Sequence, residues 1–156
     1  MRTSLTEGEK VLVPFLETAR FPHSQFAATT ALWLEACGYP GLRGLSESLA
    51  DPPKDLKLAR DALGLDLQHV SCVRIGPDIV SDVLSNGRAF LRNVRHGLFL
   101  LPASVQHNFG IGCPIDPGFA LGGERTKNPY VEKLEAAQRD GIEVDDAVWH
   151  SLTQRR

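Results

Sequence analysis

Between Ser4 and Ala50 the apolar residues fall into three blocks at three- and four-residue spacing, each closed by glycine or proline, and from Leu65 the spacing drops to two. That change of period constrains the fold more than any other feature. Helices first and strands later describe an α+β chain, not a doubly wound parallel sheet. Ser4 with Glu7 three positions on forms a capping box, and Val11, Leu12, Phe15 and Leu16 continue a helix over 5–19. Phe26, Ala27, Thr30, Ala31, Leu34 and Cys37 make a second stripe over 24–37 that Gly38 closes in a left-handed cap. Leu42, Leu45 and Leu49 give a third, ended by Asp51-Pro52-Pro53.

A weaker stripe, Leu56, Ala59, Arg60 and Leu63, predicts a fourth helix over 54–63. Leu67, His69, Ser71, Val73 and Ile75 alternate with Gln68, Val70, Cys72 and Arg74, which predicts a strand, and Pro77-Asp78 then opens a helix of one or two turns that Ser85-Asn86-Gly87 stops. Short strands are expected over 89–94 and 98–101. Asn128 and Pro129 start a helix carrying Tyr130, Val131, Leu134 and Ala137 with Gly141 beyond its end, and Asp145 caps a last helix through Leu152. The expected architecture is a single globular domain over 1–156. An N-terminal helical subdomain packs on a small, mostly antiparallel sheet, followed by a long ordered loop rich in glycine and proline and by C-terminal helices.

Function classes are narrowed by what the chain lacks. A net charge of −2 over 156 residues gives no electrostatic case for nucleic acid or an anionic membrane. No apolar run reaches the roughly 20 residues that span a bilayer, and MRTSLTEGEK has no signal-peptide core, so a cytoplasmic protein with no membrane partner is expected. Three widely spaced cysteines point to reduced thiols, with Cys37 and Cys72 in the core. No motif implies a cofactor.

The residues of interest lie in the loop over 104–129, whose Phe109, Ile111, Ile115, Phe119 and Leu121 argue for order. Cys113 stands between Gly112 and Pro114, with His107 and Asp116 in the same segment. A nucleophilic thiolate would draw on His107 or Arg125 for its activation and on Asp116 to orient the imidazole. Against this, an unpaired cysteine is more often a small buried apolar residue. Leu121-Gly122-Gly123-Glu124-Arg125-Thr126-Lys127-Asn128 brings two glycines and two cations to a helix start, so Gly122, Gly123, Arg125, Lys127 and Asn128 form a candidate site for a small anion. The plain alternative is a turn followed by a cap. His69, Cys72, His107 and Cys113 offer a zinc donor set, but the spacing is wrong and His69 and Cys72 would face opposite sides of a strand; no metal site is assigned. His23, His96 and His150 are expected at a cap, a turn and the surface. Arg74, Arg88, Arg92 and Arg95 read as a solvated strand face, or as a wall for an anion.

SLTEGEK, ALWLEACGYPGL and LSESLAD resemble a family of bacterial proteins known as domain of unknown function 3726, in which a helix ends in W-L-x-x-x-G-x-P-G; the match falls on Trp33, Leu34, Gly38, Pro40 and Gly41. IGPDIVSD, VRHGLFLLP and DGIEVDDAVWHSL are similar to further segments, while Phe21-Pro22-His23-Ser24 replaces the family's Trp-Gly-containing stretch. The resemblance implies no activity and no site residue. Two expectations follow from the residues. One is a non-catalytic accessory or small-ligand-binding protein, a candidate homo-oligomer, with an anion at the 104–129 loop. The other is a small enzyme using Cys113 with His107 and Asp116.

Overall fold

The computed structural model describes residues 1–107, 109–111, 118–124 and 130–153. In chain order the elements are β1 (Arg2–Thr3), α1 (Leu5–Thr18), α2 (Ser24–Ala36), α3 (Gly41–Ala50), β2 (Gly64–Asp66), α4 (Cys72–Asn86), β3 (Ala89–Arg92), a 3-10 turn (Gly97–Leu100), α5 (Leu101–Gln106), β4 (Phe109–Ile111), β5 (Gly118–Glu124), α6 (Val131–Asp140), β6 (Ile142–Glu143) and α7 (Asp146–Thr153). The class is α+β, as the change of period implies. Two compact units are distinguished, Met1–Asp51 with Asn128–Arg156 and Pro52–Lys127. No helix among the described residues is long and apolar enough to cross a membrane.

The first unit is helical. Ser4 accepts a hydrogen bond from the Glu7 N–H at 3.0 Å and starts α1, which buries Leu12 and Leu16. α2 packs against α1, α3 and α6, burying Ala27, Ala28, Ala31, Leu32 and Leu34. It ends where the sequence places the left-handed glycine. Gly38 has φ +87°, its N–H reaches the Glu35 carbonyl at 3.1 Å, and the Tyr39 N–H reaches the Leu34 carbonyl at 2.8 Å, the paired bonds of a Schellman cap. Leu42 and Leu45 of α3 and Trp149 and Leu152 of α7 complete this core. β1 and β6 form a two-stranded antiparallel ladder, Arg2 opposite Glu143 and Thr3 opposite Ile142.

The second unit holds a sheet of order β2-β3-β5-β4. Its two antiparallel pairs match the expected sheet, but β2 and β3 are parallel, Leu65 opposite Leu91, with α4 as their crossover. Leu65, Leu91 and Leu121 are buried, as are Ile75, Ile79 and Val83 on α4.

Four local expectations are overturned. Residues 54–63 form no helix: Leu63 is 65 % exposed, so the weak stripe buries too little to hold a turn of helix. The strand expected from Leu65 to Ile75 stops at Asp66, and α4 runs from Cys72 through Pro77, because Cys72, Ile75, Gly76, Ile79, Val80 and Val83 are themselves a helical stripe and Ser71 caps it. Residues 98–101 are a 3-10 turn leading into α5. The long loop carries α5, β4 and β5, and Gly122 and Gly123 are strand residues. Phe109 pairs with Glu124 and Ile111 with Leu121, so one residue of β4 faces two of β5 and the glycines occupy a bulge.

Candidate functional site

At the carboxyl ends of β2 and β3 the described residues of the second unit form a dense network of hydrogen bonds. Beyond Asp66 and Arg92 two loops run side by side, joined by Leu67 N–H to the Arg92 carbonyl (2.9 Å), His69 N–H to the Asn93 carbonyl (3.0 Å) and Cys72 N–H to the Arg95 carbonyl (2.9 Å). Asp66 Oδ1 accepts from Asn93 Nδ2 at 2.8 Å and from the Gln68 N–H at 3.0 Å, and these bonds, Asn93's first, hold its carboxyl below the usual carboxylate range. Gln68, His69, Asn93 and His96 all have left-handed backbones, φ 51°, 62°, 54° and 58°. Side chains without β-branching tolerate that region at a cost, and such residues gather at binding and catalytic loops more often than elsewhere.

Ser71 links the two loops. Its Oγ accepts the Val73 N–H at 3.1 Å, capping α4, and lies 2.6 Å from His96 Nδ1. A serine oxygen can accept twice, so either the Ser71 hydroxyl donates to Nδ1 or Nδ1–H donates to the hydroxyl, according to the imidazole tautomer. Ser71 is 1 % exposed, so this serine–histidine pair positions a helix and a loop and offers substrate no nucleophile. The other early N–H groups of α4 are also taken: Cys72 by Arg95, and Arg74 and Ile75 by the Ser71 carbonyl at 3.0 and 3.3 Å. Any anion here must therefore be held by side chains. Half-buried Arg74, Arg92 and Arg95 all stand on these elements. Arg92 pairs with Asp61, whose carboxyl is lowered by the Leu63 N–H and by Arg92, while Arg92 Nε is buried without a hydrogen-bond partner.

Of the residues singled out in the sequence, His107 is the exposed residue that ends α5, its N–H bonded to the Ala103 carbonyl at 2.9 Å. Cys113, Asp116, Arg125, Lys127 and Asn128 lie outside the described residues, so no thiol–imidazole geometry and no helix-start anion cradle is defined by them. Gly118, just after the Cys113–Asp116 segment, pairs with Arg92 at the carboxyl end of β3, whereas Glu124, just before Arg125, ends β5 about 20 Å away for a seven-residue strand. The zinc reading loses its geometry as well: His69 sits in a left-handed turn and Cys72 begins a helix, so the strand invoked against that pair does not exist, and no cluster of three metal-ligating side chains occurs among the described residues. Cys37 and Cys72 are buried thiols as expected; burial pushes Cys72 up to about 12, and raises Cys37 against the opposing pull of Lys133. His23 is a left-handed residue at the start of α2, and His150 is exposed.

Asp66, Ser71, Asn93 and His96 were not legible as a group from the sequence. Ser71 before a stripe of helical period was the one available signal, and the alternation around it concealed the cap. No protein-family model matches the chain, and neither a curated protein nor a solved structure gives a significant match.

Proposed function

We propose that the chain is a non-catalytic binding protein for a small anionic molecule, a phosphate ester or a carboxylate, held at the carboxyl ends of β2 and β3 by Arg74, Arg92 and Arg95. The observation that carries this reading is the placement of three half-buried arginines on the elements that meet at two interlocked, left-handed loops, at the carboxyl end of a parallel strand pair. That is where open sheets with parallel strands present their ligands, because the crossover turns leave a crevice there. The arginines supply charge and planar two-pronged donors suited to oxyanions. The serine–histidine pair lends no support to a catalytic role for these loops, because Ser71 is buried and caps α4. Buried, reduced Cys37 and Cys72 accord with a cytoplasmic setting.

The test is a thermal-shift and calorimetric titration with inorganic phosphate, malonate and phenyl phosphate at low salt. A ligand at a hundred times its Kd adds about 2.7 kcal/mol to the native state, and added salt should weaken the effect. Arg74→Gln or Arg95→Gln should each cost about tenfold in affinity, the loss of one charge-assisted hydrogen bond. If Arg125→Ala with Lys127→Ala abolishes binding while the other variants do not, the site lies at the far end of β5 and the assignment is wrong. The absence of any shift at millimolar anion overturns the function.

A further inference from the structure

In the first unit a cleft of about 330 Å³ opens beside the start of α3 and the start of α7, lined by Glu35, Tyr39, Leu42, Arg43, Asp145 and Val148 among others. Its volume falls at the small end of the range that organic ligands occupy. Two carboxylates reach it, and each spends one oxygen as a helix cap. Glu35 Oε1 accepts from the Leu42 N–H at 3.0 Å across the α2–α3 turn, and Asp145 Oδ1 accepts from the Val148 N–H at 3.0 Å. Glu35 Oε2 and Asp145 Oδ2 have no hydrogen-bond partner among the described residues. Arg43, on the first turn of α3, forms no ion pair with either carboxylate, so the lining carries two negative charges and one positive, a net of −1. Tyr39 is pinned in place: its hydroxyl lies 3.1 Å from that of Tyr130, and the two rings meet edge to face at 6.2 Å. Leu42, Pro40 and Val148 supply apolar wall.

We propose that this cleft binds a small primary amine, its ammonium group between the unused oxygens of Glu35 and Asp145 and its carbon chain along Tyr39, Leu42 and Val148. An ammonium donates up to three hydrogen bonds and takes two carboxylate oxygens without disturbing either cap. Occupancy would also relieve a conflict. The Glu35 carboxyl lies above the ordinary carboxylate range, first because burial disfavours its charge and further because Asp145 repels it, with the Leu42 N–H opposing. A glutamine at position 35 would accept the Leu42 N–H equally well without that conflict, so capping alone does not account for the carboxylate.

The experiment titrates the full chain at pH 7.5 with n-butylammonium, using ammonium chloride and n-butanol as controls, and repeats it on Glu35→Gln and Asp145→Asn. Both variants keep an acceptor for their cap, and circular dichroism checks that they fold. Butylammonium should raise the melting temperature of the parent chain, bind at least about tenfold tighter than ammonium or butanol, and lose about tenfold or more in each variant, the worth of roughly 1.4 kcal/mol per contact. Equal binding of ammonium and butylammonium would remove the apolar wall from the site and overturn the proposal. So would no shift at millimolar amine, or an undiminished shift in the Glu35→Gln, Asp145→Asn double variant.

Discussion

Gly41→Ala tests how the first unit is put together. Gly41 opens α3 where that helix crosses α2, and its backbone lies against the Ala31 carbonyl. A Cβ built there would overlap the Ala31 oxygen and stand 2.8 Å from Leu34 Cβ and 2.9 Å from the Ala31 carbonyl carbon. The nearest obstacle is backbone, so no rotamer change relieves it and α3 must move away from α2. Overpacking of this kind costs about 1–3 kcal/mol. Moving α3 also draws the Leu42 N–H away from Glu35, a further 1 kcal/mol or so, while alanine's better helix propensity returns at most about 1 kcal/mol. The net is a destabilisation of about 1–3 kcal/mol. With a urea slope near 2 kcal/mol/M, the midpoint should fall by roughly 0.5–1.5 M, with the slope unchanged. Truncating Leu34 in the same chain should not restore it, since the Ala31 carbonyl remains. A variant within about 0.5 kcal/mol of the parent would refute the close approach of the two helices.

Gly38→Ala isolates backbone strain, because its φ is +87° and the nearest atom to an added Cβ is Lys133 Nζ at 4.0 Å; a loss of about 1 kcal/mol is expected by urea titration, with Gly38→Asn intermediate, and an unchanged midpoint would mean the cap has rearranged. Glu35 binds its proton more tightly folded than unfolded, so its contribution to stability is complete below its unfolded pKa and is lost as pH rises through its raised folded pKa. The difference in stability between Glu35→Gln and the parent chain should therefore grow in favour of the variant across that window and then level off; a difference independent of pH would show that the carboxylate is not held above its ordinary range.

The helical part of the chain could be read from sequence because its signals are local and agree with one another. Ser4 with Glu7, the stripes on α1 to α3, and Gly38 each specify a cap or a face without reference to distant residues. The second unit could not be read this way. Leu67 to Ile75 satisfies both a period of two and, from Cys72, a period near 3.6, and only the parallel pairing of Leu65 with Leu91 decides where the strand stops. Pro77 suggested a helix start, yet it lies inside α4. Gly122 and Gly123 looked like a turn because glycine serves turns and bulges alike, and the bulge exists only by virtue of Phe109 and Ile111 on the neighbouring strand. The candidate site shows the same limit, since Asp66, Ser71, Asn93 and His96 meet only after two loops 25 or so residues apart are laid side by side by that pairing.

Three carboxylates of the structure do the same local work and differ in what remains for them to do. Asp66 accepts from a backbone N–H and from the Asn93 amide, and Asp61 from two backbone N–H groups and from Arg92; both are lowered, the sign of an anion whose needs are met inside the protein. Glu35 accepts one N–H at the start of α3, where the positive end of the helix should also favour its charge, and is nevertheless raised. Burial and Asp145 together outweigh the Leu42 N–H. An anion left in that balance gains from any cation able to enter, whereas Asp61 and Asp66 would gain little. The carboxylates of the second unit thus hold loops in place, and Glu35 is the one whose surroundings call for a positively charged ligand.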